Sequence, residues 1–492
     1  MWEHSIELQV SPAPSAGGTK KLASTIARDI EADIVRRGWP VGESLGSEHA
    51  LQQRFGVSRS VLREAVRLVE HHRVARMRRG PGGGLLIAEP DAGPATRAIV
   101  IYLEYLGTTL VDLLNARLVL EPLAASLAAE RIDEAGIERL RAVLRAEQQW
   151  RPGLPAPRDE FHIALGEQSK NPVLQLFIDV LTRLTTRYAL RSRTDSASEA
   201  IEALDYMHND HSDLVAAVTA GDSARAKTLS ERHVEAVNAW LQEHHPGRAG
   251  RPRRSRGTDG EVPRGKLAEV VAAAIGDEIA SGDWQVGSVF GTEAALLERY
   301  RVSRAVLREA VRLLEYHSVA QMRRGPGGGL VVTRPHAQAS IDTIALYLQF
   351  RQPSREDLRC VRDAIEIDNV AKVVKRRTEP AVTAFLHTHR SALDAAAHTA
   401  DEARQATSEE ARFHIELAQL AGNALLDLFL RIIIELFRRH WSSTGQQPPA
   451  RDDVVAIEHA HSRILDAIAA GDDSLARYRI RRHLDAAASW WL

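Results

Sequence analysis

Residues 21–90 and 266–335 align without a gap at an offset of 245, with 39 of 70 positions identical. A repeat of that length is one folding unit present twice, so whatever the first copy binds, the second is built to bind as well. Each copy is followed by a long helical stretch with similarly spaced histidines, so the duplicated module is a reader joined to a sensor. A chain of 492 residues has room for about three to four domains of ordinary size, each able to bury its own core.

The segments follow from composition. Residues 1–19 mix Ser, Pro, Ala and Gly without helical period and read as a flexible tail, and 244–265, rich in Gly, Pro and Arg, reads as a basic linker. The first reader is placed at 20–90 and the second at 266–335. The stretches 96–243 and 341–492 are Ala-, Leu-, Arg- and Glu-rich with helical period, for which an antiparallel helical bundle is the natural solution. The expected fold class is therefore mainly α, each copy of the repeated unit being followed by an all-α bundle.

With 64 Lys and Arg against 65 Asp and Glu, a wholly basic chromatin protein is excluded, although a locally basic face is not. A single cysteine, Cys360, cannot form an intramolecular disulfide, and no early segment resembles a secretion signal, so a reducing cytoplasm is expected. No run of 18 apolar residues exists, so no membrane span is expected.

Within each reader, Leu22, Ile26, Ile30 and Ile34, or Leu267, Val271, Ile275 and Ile279, form the apolar stripe of a first helix. Ser47 or Thr292 caps a second helix with Glu48 or Glu293 in its first turn. After the turn FGVS or YRVS, Ser58 or Ser303 caps a third helix, in which Val61, Leu62, Ala65, Val66 and Leu68 provide the buried stripe. The segment VARMRRGPGGGLLI reads as a hairpin, the wing.

Two short helices joined by a tight turn leave the second free to enter a major groove, whose width admits one helix. Arg59 and Arg63, four apart, can each offer a bidentate fork to guanine, with Ser58, Ser60 and Arg67 beside them; Ser303, Arg304, Arg308 and Arg312 repeat the pattern. Arg78 and Arg79, with Arg323 and Arg324, sit where a wing meets phosphates, and Gly82, Gly83, Gly327 and Gly328 let backbone approach the minor groove. The rival reading of these arginines is a solvated helix face, and the cap, turn, basic helix start and glycine wing, in that order twice, argue against it.

On these residues, and above all FGVSRSVLREAVRLVE, the chain resembles the GntR superfamily of winged helix-turn-helix transcription regulators. Its helical stretches resemble the ligand-binding domain of the FadR-type branch, and the resemblance covers everything except tail and linker. It implies a metabolite-responsive regulator, read as a repressor, and the internal duplication implies that one chain supplies both readers as a covalent pseudo-dimer. It departs from the family at His49 and Ala294, where an arginine often stands, and at Arg301, which replaces the turn residue Gly56. Residues 21–90 carry 12 Lys and Arg against 8 Asp and Glu, and 266–335 carry 9 against 8, so the first copy should dominate electrostatic anchoring on two half-sites that need not be equal.

In the second sensor, Glu410 and His414 stand four apart, hence on one helical face, and His461 and His483 lie 22 residues apart. One carboxylate and three imidazoles converging inside a bundle suit a divalent transition metal such as zinc, nickel, manganese or iron. The spacing resembles the metal site of FadR-type sensors, where an Asp usually stands at the position of Glu410. The first sensor keeps His162, His211 and His233, but Arg158 stands four before His162, so a protein-lined pocket rivals a metal there. The resemblance also implies that Arg117 and Arg362 face the cavity and pair an effector carboxylate. Equally weighted is an intrahelical pair with Glu121 and Glu366, four residues on.

Two other function classes stay open on sequence: a helical metal-dependent enzyme, for which no nucleophile or general base accompanies the ligands, and an effector-insensitive architectural DNA-binding protein. Tandem fusion can satisfy a dimer interface internally, while pairing between chains stays open.

Overall fold

The computed structural model describes residues 18–78, 80, 82–149, 160–190, 197–244, 267–282, 284–323, 325, 327–335, 337–395, 402–444 and 451–491. The chain divides into two compact units, residues 1–94 and 95–492. The first reader belongs to the first unit; the second unit contains both helical bundles and the second reader.

In the first unit, α1 (Gly18–Arg36), α2 (Glu48–Phe55) and α3 (Arg59–His71) precede a hairpin of β1 (Ala75–Arg78) and β2 (Gly84–Ile87). Ser47 and Ser58 cap α2 and α3 by accepting from Ala50 N and Val61 N, as their sequence position foretells. The strands pair antiparallel from Ala75 opposite Ile87 to Arg78 opposite Gly84. Gly84 lets the wing pass against the preceding loop, because a Cβ there would stand 2.6 Å from the Gly46 carbonyl oxygen. Two details of the expected stripes are corrected. Leu22 is 45% exposed, and Ala23 and Ala27 fill the contact instead; on α3 Val69 is buried while Leu68 is only half-buried.

The second reader repeats the plan with α11 (Leu267–Ser281), α12 (Glu293–Tyr300), α13 (Arg304–Tyr316), β4 (Ala320–Arg323) and β5 (Gly329–Val332). Leu267, like Leu22, is exposed. A short strand β3 (Val289–Gly291), unforeseen from sequence, joins the wing to give the strand order β3-β5-β4. The turn position matters in both copies: Gly56 is left-handed at φ 61, ψ 32, and Arg301 adopts φ 51, ψ 47. A side chain there costs about 1 to 2 kcal/mol. Gly56→Ala should therefore lower the stability of the first reader by about 1 kcal/mol, measured by urea unfolding of the full chain, and Arg301→Gly should raise that of the second by less, since glycine also loosens the unfolded chain. An unchanged midpoint in both variants would contradict this.

The first bundle comprises α4 (Ala92–Leu106), α5 (Leu110–Arg131), α6 (Glu134–Gln149), α7 (Glu160–Gln168), α8 (Pro172–Leu190), α9 (Ala197–Thr219) and α10 (Ser223–His244). The second comprises α14 (Ala337–Arg351), α15 (Arg355–Lys375), α16 (Pro380–Ala395), α17 (Glu402–Ala421), α18 (Ala424–Thr444), α19 (Arg451–Ala470) and α20 (Asp473–Trp491). Helix begins at Ala92 and Ala337, before the expected 96 and 341. Thr109 and Ser354 open α5 and α15 with capping boxes closed by Asp112 and Asp357. These two helices are the spines: α5 packs along α10, α7 and α8, and α15 along α20, α17 and α18. Among the described residues, no helix is long and apolar enough to cross a membrane.

The bundles pack on each other through α5 and α8 against α15 and α18. Phe177 stacks on Phe429 at 3.9 Å between ring centroids. Around them the polar contacts are reciprocal. Asn171 caps α8 with its oxygen and donates its amide to the Asp357 carbonyl, while Asn423 caps α18 and donates to the Asp112 carbonyl. The helix α4 reaches further: Ile101 and Tyr105 pack against the core of the second reader, and Tyr105 meets Trp284 edge-on at 5.4 Å.

Candidate nucleic-acid interface and metal centres

The capped start of α3 leaves Arg59, Arg63 and Arg67 exposed on the side away from the buried stripe. Arg59 Nε and Arg63 Nε both donate to Glu48 Oε1, at 3.0 and 2.7 Å, and Arg67 pairs with Glu64 at 3.2 Å. These bonds hold the Glu48 carboxyl down at about 2. Ser58 is spent on the cap and lies 3.0 Å from Ser60. In the second reader Ser303 caps α13, Arg304 and Arg308 are exposed, Arg312 is half-buried, and Arg308 Nε stands 3.7 Å from Glu293. On the wings, Arg78 Nη2 donates to the Gly82 carbonyl at 2.9 Å, and Arg323 is exposed. Gly82 and Gly327 are exposed at the wing tips, beside Gly83 and Gly328. Arg79 and Arg324 lie outside the described residues, as does Arg158.

In the second bundle four sequence-predicted side chains from three helices come together fully buried. Glu410 and His414 lie on α17, His461 on α19 and His483 on α20, with one ligand atom from each within 4.8 Å of all the others. Glu410 Oε1 lies 3.0 Å from His414 Nε2 and 3.1 Å from His483 Nε2, and its Oε2 is 2.8 Å from His461 Nε2. That last contact is not a hydrogen bond in direction: Glu410 Oε2 and His461 Nε2 are both buried without a hydrogen-bond partner. Donor atoms about 3.3 Å apart are what a tetrahedral ion with bonds near 2.0 Å requires, so the residues fit a divalent cation. Phe413 stacks on His461 at 3.8 Å and fixes its ring, while His414 Nδ1 meets the Glu366 carboxylate, the outer support a metal-binding imidazole needs.

The charges are coupled accordingly. Burial alone would raise the Glu366 and Glu410 carboxyls, but neighbouring charges outweigh it: His414 and Arg362 hold Glu366 at about 2, and the three imidazoles hold Glu410 well below its ordinary value. Burial would lower His414, yet Glu366 and Glu410 push it up to about 9, whereas burial pulls His461 down to about 4.

The first bundle brings His162, His211 and His233 together in the same way, with His211 Nε2 and His233 Nε2 3.3 Å apart and Phe161 stacked on His211 at 3.7 Å. Each Nδ1 faces a carboxylate: Glu121 at 3.1 Å, Glu147 at 2.9 Å and Asp210 at 3.1 Å respectively. Burial pushes the Glu147 carboxyl up to about 8 and pulls the His211 imidazole well below its usual value. No carboxylate stands among the three Nε2 atoms in the described residues; Arg117 Nη2 reaches within 3.2 Å of His162 Nε2 instead.

Arg117 and Arg362 each form the i, i+4 pair with Glu121 and Glu366, but buried and beside the histidine clusters rather than on a solvated face. Arg362 Nη2 also lies 3.9 Å from Glu410. The ion-pair reading of these arginines is thus present in the structure, and it places both guanidinia next to the candidate metal ligands.

The family of bacterial regulatory proteins of the gntR type matches residues 22–84 and 267–330, and the FCD domain matches 112–236 and 357–486. The chain belongs to the GntR family. Its members are DNA-binding transcriptional regulators, not enzymes, with FCD domains that bind effectors. The Uxu operon regulator of Haemophilus influenzae is 27% identical over 228 residues, covering 44% of this chain and 81% of that protein. The HTH-type transcriptional regulator LutR of Bacillus subtilis is 29% identical over 206 residues, covering 41% and 92%. Among solved structures, GntR of Streptococcus agalactiae is 23% identical and covers 44% of this chain and 99% of that one, with a TM-score of 0.33. Each relative thus corresponds to a little under half of this GntR chain.

Sequence reasoning missed Glu147, Asp210, Phe161 and Phe413 around the two clusters, and the Glu48 link between Arg59 and Arg63. Phe161 and Phe413 directly precede a clustered histidine and Asp210 directly precedes His211, a signal adjacent in sequence; Glu147 lies 64 residues from His211 and offers none.

Proposed function

We propose that this GntR-family chain is a metabolite-responsive repressor that works as a covalent pseudo-dimer in the cytoplasm, placing two readers on two half-sites of one DNA duplex. The observation that carries the reading is the reciprocal packing of the two FCD bundles within one chain, Asn171 onto the Asp357 carbonyl and Asn423 onto that of Asp112. A two-fold interface of that kind is what two separate subunits would otherwise make. Recognition falls to Arg59 and Arg63, with Arg304 and Arg308, while Arg67, Arg78, Arg312 and Arg323 meet the backbone.

Glu410, His414, His461 and His483 hold a divalent transition ion in the second bundle; His162, His211 and His233 offer three ligands for one in the first. The ion fixes the helices that carry its ligands and gives an effector carboxylate a positive partner beside Arg362 or Arg117. Coupling to DNA runs through α4, which is continuous in sequence with the Arg117-bearing α5 and packs by Ile101 and Tyr105 on the second reader. A shift of the readers worth 1 to 3 kcal/mol changes affinity about 5- to 150-fold.

Selection of bound sites from random DNA tests the reading: two half-sites about one helical turn apart are expected, the one bound by the first reader the better defined. A single half-site would contradict it. DNA binding that no carboxylate metabolite or metal alters would instead favour an architectural protein.

A further inference from the structure

We infer that Glu48 is a specificity-determining positioning residue of the first reader, holding Arg59 and Arg63 by their inner edges so that both guanidinia present their terminal amino groups outward. The inference rests on the reading that α3 enters the major groove. A guanidinium has two donor edges, one formed by Nε with a terminal nitrogen and one by the two terminal nitrogens. Both Nε atoms are turned to Glu48 Oε1, so the edge left for Arg63 to meet guanine O6 and N7 is the terminal pair. Arg59 Nη2 also donates one hydrogen to Glu48 Oε2 at 3.5 Å, and its second hydrogen, on the terminal edge, is the one left for a base.

A long, flexible side chain fixed in advance loses less rotamer freedom when it docks, and that gain accrues only where a base offers a matching pair of acceptors. Meanwhile a carboxylate between the arginines repels phosphate, which weakens indiscriminate binding. The second reader lacks this device. Glu293 occupies the equivalent position, but Arg308 Nε stands 3.7 Å away, and Glu293 Oε1 is buried without a hydrogen-bond partner. Selectivity is therefore concentrated in the first reader by hydrogen bonds that the second reader, identical at 39 of 70 positions, replaces with an ion pair at 3.7 Å.

The test compares full-length Glu48→Gln and Glu293→Gln chains on a selected operator and on a scrambled duplex of equal length, at one salt concentration. For Glu48→Gln the ratio of the two affinities should fall roughly ten-fold, with binding to the scrambled duplex unchanged or tighter. Glu293→Gln should change the ratio by no more than about two-fold. A Glu48→Gln ratio that holds or rises would overturn the proposal, because Glu48 would then only sequester the arginines. Parallel weakening on both duplexes, the mark of a merely structural role, would overturn it too. The groove reading itself fails separately, if Arg59→Ala with Arg63→Ala leaves the ratio intact.

Discussion

Replacing Arg59 and Arg63 together by alanine should abolish sequence-specific DNA binding while leaving the chain folded. Both side chains are more than half exposed and pair only with Glu48 on the surface, so their removal should change stability by no more than about 0.5 kcal/mol. Each bidentate contact to guanine discriminates by about 1 to 3 kcal/mol. Losing two of them removes about half of the margin of about 4 to 10 kcal/mol that separates specific from non-specific binding. Footprinting on a selected operator should show the first half-site unprotected. The same pair of changes at Arg304 and Arg308 should matter less, because the second reader carries less net positive charge and its arginines are not preset. A footprint unchanged by the Arg59 and Arg63 substitutions would refute the assignment of α3 as the recognition helix.

His461→Ala should empty the metal site of the second bundle. The imidazole is one of four candidate ligands, it is held by stacking on Phe413, and no other described histidine or carboxylate belongs to that group. Elemental analysis of the purified chain should lose the ion bound there, and retained stoichiometry would count against the site. Acid should do the same reversibly. Without an ion, Glu366 and Glu410 keep a proton on His414, whose pKa is raised to about 9, so binding a cation must displace that proton. Affinity for zinc should consequently rise as pH increases from 6 to 8, with proton release measurable in weakly buffered solution. An affinity independent of pH would mean that His414 is not a ligand.

The readers were legible because their signals are local. Ser47 and Ser58 announce two helix starts, and Val61, Leu62, Ala65 and Val66 mark the buried face within a dozen residues. Where the sequence misled, tertiary packing decided. Leu22 and Leu267 fit the helical period, yet the neighbouring Ala23 and Ala268 take the buried positions there, and β3 is too short to carry an alternating pattern. For the metal clusters, the i, i+4 pair of Glu410 and His414 was readable on one helix. The meeting of α17 with α19 and α20 was legible only through resemblance to a known arrangement. Supports such as Glu147 lie on a separate helix, so only the folded chain brings them to their histidine.

In the proposed pseudo-dimer one polypeptide fills both half-sites of an operator. Sedimentation or native mass measurement of the complex with a two-half-site duplex, joined to a footprint of the same sample, tests this most directly. One chain per duplex, with both half-sites protected, is the predicted result. Two chains per duplex, or one chain covering a single half-site, would contradict it.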